Sequence, residues 1–157
     1  MVKYLISACL VGQQVRYDGQ DCLEAKLNAL IENGQAICVC PEVIGGLSIP
    51  RRPAEIMGGD GADVLAGRAK VIDTAGVDVT EAFINGAQVA LKLAQDHHVS
   101  HVILKANSPS CGSQLIYDGS FSGQKIVGNG VTAALLKQHG FQVWTEQVFL
   151  DHLKEVS

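Results

Sequence analysis

SHVILKANSPSCG, Ser100 to Gly112, decides the fold. Its first six residues, Ser100 to Lys105, are a short apolar run of the kind that forms a buried strand. The run empties into Asn107-Ser108-Pro109-Ser110-Cys111-Gly112, a loop of turn-forming residues that carries a cysteine. The same arrangement occurs twice upstream. Lys3 to Ala8 (KYLISA) leads into the Gly-containing polar stretch Cys9 to Gln20, and Gln35 to Val39 (QAICV) ends at Cys40-Pro41. Phe141 to Thr145 is a fourth strand.

Helical spacing fills the intervals. Asp21 is a good N-cap, Leu23, Leu27, Leu30 and Ile31 recur at helical period, and Gly34 is placed to end that helix in a left-handed cap. Thr80 is expected to cap a helix running to about His97. Its residues Ala82, Phe83, Gly86, Ala87, Ala90, Leu91 and Ala94 make a narrow face able to lie close on a sheet. A short helix spans Val131 to His139 and stops at Gly140, and a last one holds Val148, Leu150 and Leu153. Between these, Ala69 to Val79 suits a small hairpin or two short extended pieces. Cys40 to about Gly67 and the stretch leading to Gly130 are glycine-rich and predict loops, longer than most connections in a compact domain. The alternation of strands and helices predicts one Rossmann-like α/β domain with a mostly parallel four-stranded sheet, strand order 2-1-3-4. Right-handed crossovers put helices on both of its faces.

The chain has 157 residues, about one domain's length, with no repeat or linker. Charged residues are 18% against a roughly 25% average, and the apolar set is 47%, which excludes disorder and a coiled coil. The net charge of -4 repels a phosphate backbone and argues against DNA and tRNA as partners. No apolar run approaches the roughly 18 to 20 residues that span a bilayer, so no membrane segment is expected. Ile6-Ser7-Ala8-Cys9 imitates a lipoprotein cleavage box but has too little chain before it for a signal. Five cysteines, irregularly spaced, do not form a disulfide framework. The expected location is a reducing cytoplasm, with thiols free to bind metal or react.

Three of those cysteines share a placement. Cys9, Cys40 and Cys111 each follow a strand, and ligands of open parallel sheets sit beyond the strands' carboxyl ends. With order 2-1-3-4 these strands are neighbours about 4.8 Å apart, so three thiols can reach one object across roughly 10 Å. Such a set can hold a soft metal or an iron-sulfur cluster, zinc included, or supply a metal-free thiolate nucleophile. Each alone reads more readily as a small core residue than as a ligand, and it is the shared edge that singles them out. Cys22 and Cys38 lie inside elements and are expected to be packing residues. Glu42 is two residues past Cys40 and can carry a proton at the same mouth, or stand there as a solvated loop acid. Ser108 and Ser110 can donate, accept or attack, or simply shape the turn. Arg16, Tyr17, Asp18, Arg51 and Arg52 can meet an anionic or planar ligand, or remain solvated.

Two other signals compete. Gly128-Asn129-Gly130-Val131-Thr132-Ala133 matches G-x-G-x-x-A at a helix start, yet only Ile126 and Val127 stand where a strand should precede it. A phosphate on the free N–H groups of that helix is the easier expectation. His97, His98 and His101 lie at the opposite edge and are expected to be a solvated cap.

Ser7 to Gly19 (SACLVGQQVRYDG), Cys40 to Ile56 (CPEVIGGLSIPRRPAEI), Ser108 to Gly123 (SPSCGSQLIYDGSFSG) and Gly128 to Leu136 (GNGVTAALL) together resemble a family of small bacterial proteins that includes thiouracil desulfidases. The resemblance covers nearly the whole chain, and SACL, CPE and SPSCG in this order are a specific combination. It implies a single α/β domain with a 4Fe-4S cluster on Cys9, Cys40 and Cys111, one iron left open to the sulfur of a thiolated uracil. It further implies catalytic roles for Glu42 and Ser108. The substrate implied is a small thiolated uracil, whether base, nucleoside or nucleotide, which leaves as uracil and hydrosulfide. A non-catalytic iron-sulfur or sulfur carrier would use the same cysteines without needing Glu42 or Ser108.

Overall fold

The computed structural model describes residues 3–7, 28–46, 53–104, 109–145, 147–149 and 151–152, with Glu42 and Val43 by backbone alone. Its strands are β1 (Tyr4–Ser7), β2 (Ala36–Val39), β3 (Ala54–Met57), β4 (Lys70–Asp73), β5 (His101–Leu104), β6 (Leu115–Tyr117), β7 (Lys125–Val127) and β8 (Gln142–Thr145). The helices are α1 (Pro41–Ile44), α2 (Gly61–Leu65), α3 (Thr80–Asp96) and α4 (Val131–Gln138), and residues 28–32, 147–149 and 151–152 are also helical.

The four apolar runs form one sheet in the order β2-β1-β5-β8, every neighbouring pair parallel. This is the 2-1-3-4 order expected from the sequence. Alternate residues serve opposite faces. Leu5, Val102 and Leu104 pack with Ala90 and Ala94 of α3 and Ala133 and Leu136 of α4, while Ile6 and Ile103 pack with Leu30, Ile31 and Phe149. Helices therefore cover both faces. A slip of one residue would exchange these two sets, each fitted to a different layer of helices, so the register is strongly specified. Ser7 pairs with Val39, Ile6 with Ile103 and Leu104 with Thr145, which leaves the strands' carboxyl ends nearly level. Cys40 leaves the sheet at that level edge, directly after β2.

The glycine-rich stretches hold more structure than expected. β3 and β4 form an antiparallel pair, α2 lies between them in sequence, and β6 and β7 form a hairpin. β3 is four residues, too short to show a period against its Pro and Gly flanks, and its partner lies beyond α2. Of the two readings of Ala69 to Val79, the small hairpin is present in short form: Ile72 and Asp78 form an antiparallel bridge, Val79 N–H donates to the Val71 carbonyl and Asp73 N–H to that of Val77, while β4 also pairs with β3. Ile56, Val64, Val71, Phe83, Ala87, Ile116 and Val131 close a second core over α3 and α4.

Helix ends follow local chemistry. Gly34 has φ +74°, and its N–H donates to the Ile31 carbonyl while Gln35 N–H donates to Leu30, the left-handed cap expected there. Thr80 does not cap α3. The Asp78 carboxylate accepts from the Thr80 N–H at 2.9 Å, and the Thr80 hydroxyl instead accepts from Val71 N–H at 2.9 Å, tying α3 to β4. The helix runs to Asp96 with its narrow face buried at Phe83, Gly86, Ala87, Ala90 and Ala94.

Candidate functional site

Cys40 stands one residue past β2, half-buried, and Pro41 opens α1 with the fixed φ that suits a first helical position. Two glycines seat this helix. A Cβ on Gly86 of α3 would overlap the Pro41 carbonyl oxygen, and one on Gly45 would overlap the carbonyl of Ala82. The backbones of α1 and α3 are thus in direct contact, closer than any side chain permits. Cys40 and the Glu42 backbone are fixed in place by that contact. Gly86 belonged to the small-residue face legible in the sequence, but its partner was not visible there.

Cys111 is held by a different device. Val131 N–H donates to the Pro109 carbonyl at 2.8 Å, and Thr132 and Ala133 N–H donate to Ser110 at 2.8 and 3.2 Å. Gly130 N–H donates to Gly112 at 2.6 Å, and a Cβ on Gly130 would come within 2.5 Å of the Ser110 carbonyl. The Ser110 and Thr132 hydroxyls meet at 2.7 Å, both fully buried. The N-terminus of α4 is therefore filled by the loop that carries Cys111. This corrects the expectation of a phosphate there, since the donors that would bind it are taken by carbonyls of the chain itself. The dinucleotide alternative fails for the same reason. Gly128-Asn129-Gly130 is instead the receiver for Pro109 to Gly112, and the positive end of the α4 dipole lies against the cysteine loop, which favours negative charge.

Lys137 fastens the receiver from outside. Its Nζ donates to the Ser113 carbonyl at 2.6 Å and to Asn129 Oδ1 at 2.7 Å, and burial holds its ammonium below the ordinary lysine value. Asp60 completes the frame through a capping box on α2, and Gly61 N–H donates to the Asn129 carbonyl at 2.6 Å.

So held, the Cys111 thiol is buried and lies 3.9 Å from the hydroxyl of Ser7, the last residue of β1. Cys111 and its neighbours in residues 109–112 thus lie at the carboxyl end of β1. Cys9 and Ser108 themselves lie outside the described residues, as do the Glu42 side chain, Cys22, Arg16, Tyr17, Asp18, Arg51 and Arg52. Among the described residues no three His, Cys, Asp or Glu side chains gather as a metal site, and none of the helices is long and apolar enough to cross a membrane. Cys40 and Cys111 are nonetheless thiols outside any disulfide at the sheet's carboxyl edge, soft donors of the type that iron-sulfur clusters use. Their chemistry fits such a group.

Two expectations change. Cys38 is exposed rather than packed, because β2 is an edge strand of the sheet. His97 and His98 are exposed as expected, but His101 is half-buried with its ring 4.2 Å from Trp144. Burial first, and then the charge of His152, hold the His101 imidazole below its ordinary value. Ser7 and Thr132 are the site residues that sequence reasoning missed. Both stood inside quoted motifs, and a serine closing an otherwise apolar strand was the available signal.

The 2-thiouracil desulfurase family model matches residues 4–148 of this chain. A Bacillus subtilis (strain 168) protein described as uncharacterized protein YbbK is 51% identical over 149 residues, covering 95% of this chain and 99% of its own length. The solved structure of TudS, described as a 4Fe-4S-dependent thiouracil desulfidase, is 42% identical with a TM-score of 0.80, covering 99% of this chain and 98% of that one. The match runs through the sheet, both glycine-rich stretches and the cysteine loop alike, and on it the chain belongs to the 2-thiouracil desulfurase family.

Proposed function

We propose that this chain is a desulfidase that converts a thiolated uracil to uracil, with Cys9, Cys40 and Cys111 as ligands of a 4Fe-4S cluster. The observation that carries this reading is the immobilised Cys111 thiol over the carboxyl end of β1, in a chain 42% identical to a 4Fe-4S-dependent thiouracil desulfidase. A cluster with three protein ligands supplies one iron open to a soft sulfur as a Lewis acid.

The remaining chemistry falls to the chain. The net change is C=S plus water to C=O plus hydrogen sulfide, with no change of redox state. Water must lose its protons as the ring carbon gains oxygen, and the departing sulfur must gain them. Glu42, two residues past Cys40 on α1, is the proton carrier in this reading, and Ser108, at the entry to the Cys111 loop, positions the water by its hydroxyl. Cysteines outside any disulfide suit a reducing compartment, and the cytosol is the proposed one. The substrate is a base, nucleoside or nucleotide rather than tRNA, in keeping with the net charge of -4.

Glu42→Gln and Ser108→Ala test the catalytic reading against that of a carrier. Both variants should keep their iron and sulfide while turnover of 2-thiouracil, 4-thiouridine or its monophosphate falls by about 100-fold or more. Wild-type turnover in both would remove these residues from the reaction.

A further inference from the structure

We infer that Ser7 is a positioning residue for the cluster, its hydroxyl donating a hydrogen bond to the sulfur of Cys111; this rests on the proposed role of Cys111 as a ligand. β1 is otherwise apolar, yet its last residue is a serine that is 2% exposed, on the same strand face as Leu5. The Cys111 sulfur, 104 residues away in sequence, lies 3.9 Å from the Ser7 hydroxyl. Between two neutral groups either could donate. A metal-bound cysteine has no proton, so only the hydroxyl can donate there, and the contact becomes a charge-assisted hydrogen bond to a thiolate.

Two consequences follow for the site. A donor at the ligand sulfur draws electron density from it, which stabilises the more negative, reduced state of a cluster and weakens the sulfur's donation to iron. It also fixes the direction from which Cys111 approaches, since Ser7 is held in register with Val39 by the sheet. The Cys111 loop is clamped by α4 on one side and met by β1 on the other. Neither contact moves without the sheet.

The test uses full-length protein reconstituted anaerobically with iron and sulfide, as wild type, Ser7→Ala and Ser7→Thr. Midpoint potential and the Fe–S(Cys) stretching bands are read alongside iron content. Ser7→Ala should shift the potential to more negative values and raise the stretching frequency, while Ser7→Thr, which keeps the hydroxyl, should restore both towards wild type. Iron lost in Ser7→Ala but kept in Ser7→Thr supports the same inference. Unchanged potential and bands in an iron-loaded Ser7→Ala would overturn it, as would equal loss of iron from both variants. A wild-type protein that takes up no cluster would overturn the proposed function itself, and this inference with it.

Discussion

Gly86 of α3 lies so close beneath Pro41 of α1 that a single methyl group on Gly86 would occupy the space of the Pro41 carbonyl oxygen. The helix that follows Cys40 is thus seated on bare backbone. In an ordinary helix interior, Gly to Ala gains about 0.8–1 kcal/mol. Here the new Cβ meets backbone that cannot rotate away, so Gly86→Ala should destabilise the fold by about 1–3 kcal/mol. Asn85→Ala, one residue earlier and exposed, should not. Urea unfolding midpoints check this, and iron retention should fall only in Gly86→Ala, because α1 carries Cys40 with it.

The occupied N-terminus of α4 makes a second prediction. The first N–H groups of a helix normally exchange with solvent, but those of Val131, Thr132 and Ala133 are bonded to Pro109 and Ser110. Hydrogen exchange at these three amides should be slow and should not change when inorganic phosphate is added. Thr132→Val, which removes the buried bond to Ser110, should cost about 0.5–1.5 kcal/mol and speed exchange there. Fast exchange at Val131 to Ala133, slowed by phosphate, would restore the helix as an anion site.

The four-strand order and both helix layers were legible because the strands were short, largely apolar runs and α3 kept its helical period. The small sheet of β3 and β4 was not, since Ala54–Met57 is four residues long and finds its partner across α2. Glu55 shows the same limit. It reads as a polar interruption, but its carboxylate is buried and accepts from the Gly119 and Phe121 N–H groups at 3.0 and 3.1 Å, anchoring the turn of the β6–β7 hairpin. GNGVTA misled in a more instructive way. Its glycines do serve a close approach to a helix N-terminus, but the object approaching is the chain's own SPSC loop, and no local pattern distinguishes the two.

Acid sensitivity is the third prediction. His101 lies between Tyr4 and Trp144, and its imidazole is held below the ordinary 6.5 by burial and then by the charge of His152. The unfolded chain therefore takes up this proton before the folded one does. The contribution is fully present above about pH 6.5 and is lost as the pH falls from there through the lowered folded value. Asp63, Asp78 and Asp118 are held below 3.8, largely by hydrogen bonds, so their loss comes at lower pH. Unfolding midpoints measured from pH 8 to 5 should decline, and His101→Gln should flatten that decline. An unchanged slope would place the sensitivity elsewhere.

Hydrosulfide release from 2-thiouracil by the anaerobically reconstituted protein, measured beside Cys111→Ala, decides whether Cys111 holds a catalytic cluster. The wild type should carry the brown cluster absorbance and release one hydrosulfide for each uracil formed without consuming a reductant. Cys111→Ala should lose both absorbance and turnover. A Cys111→Ala protein that kept its cluster and its full rate would show that Cys111 is not a ligand of the catalytic cluster.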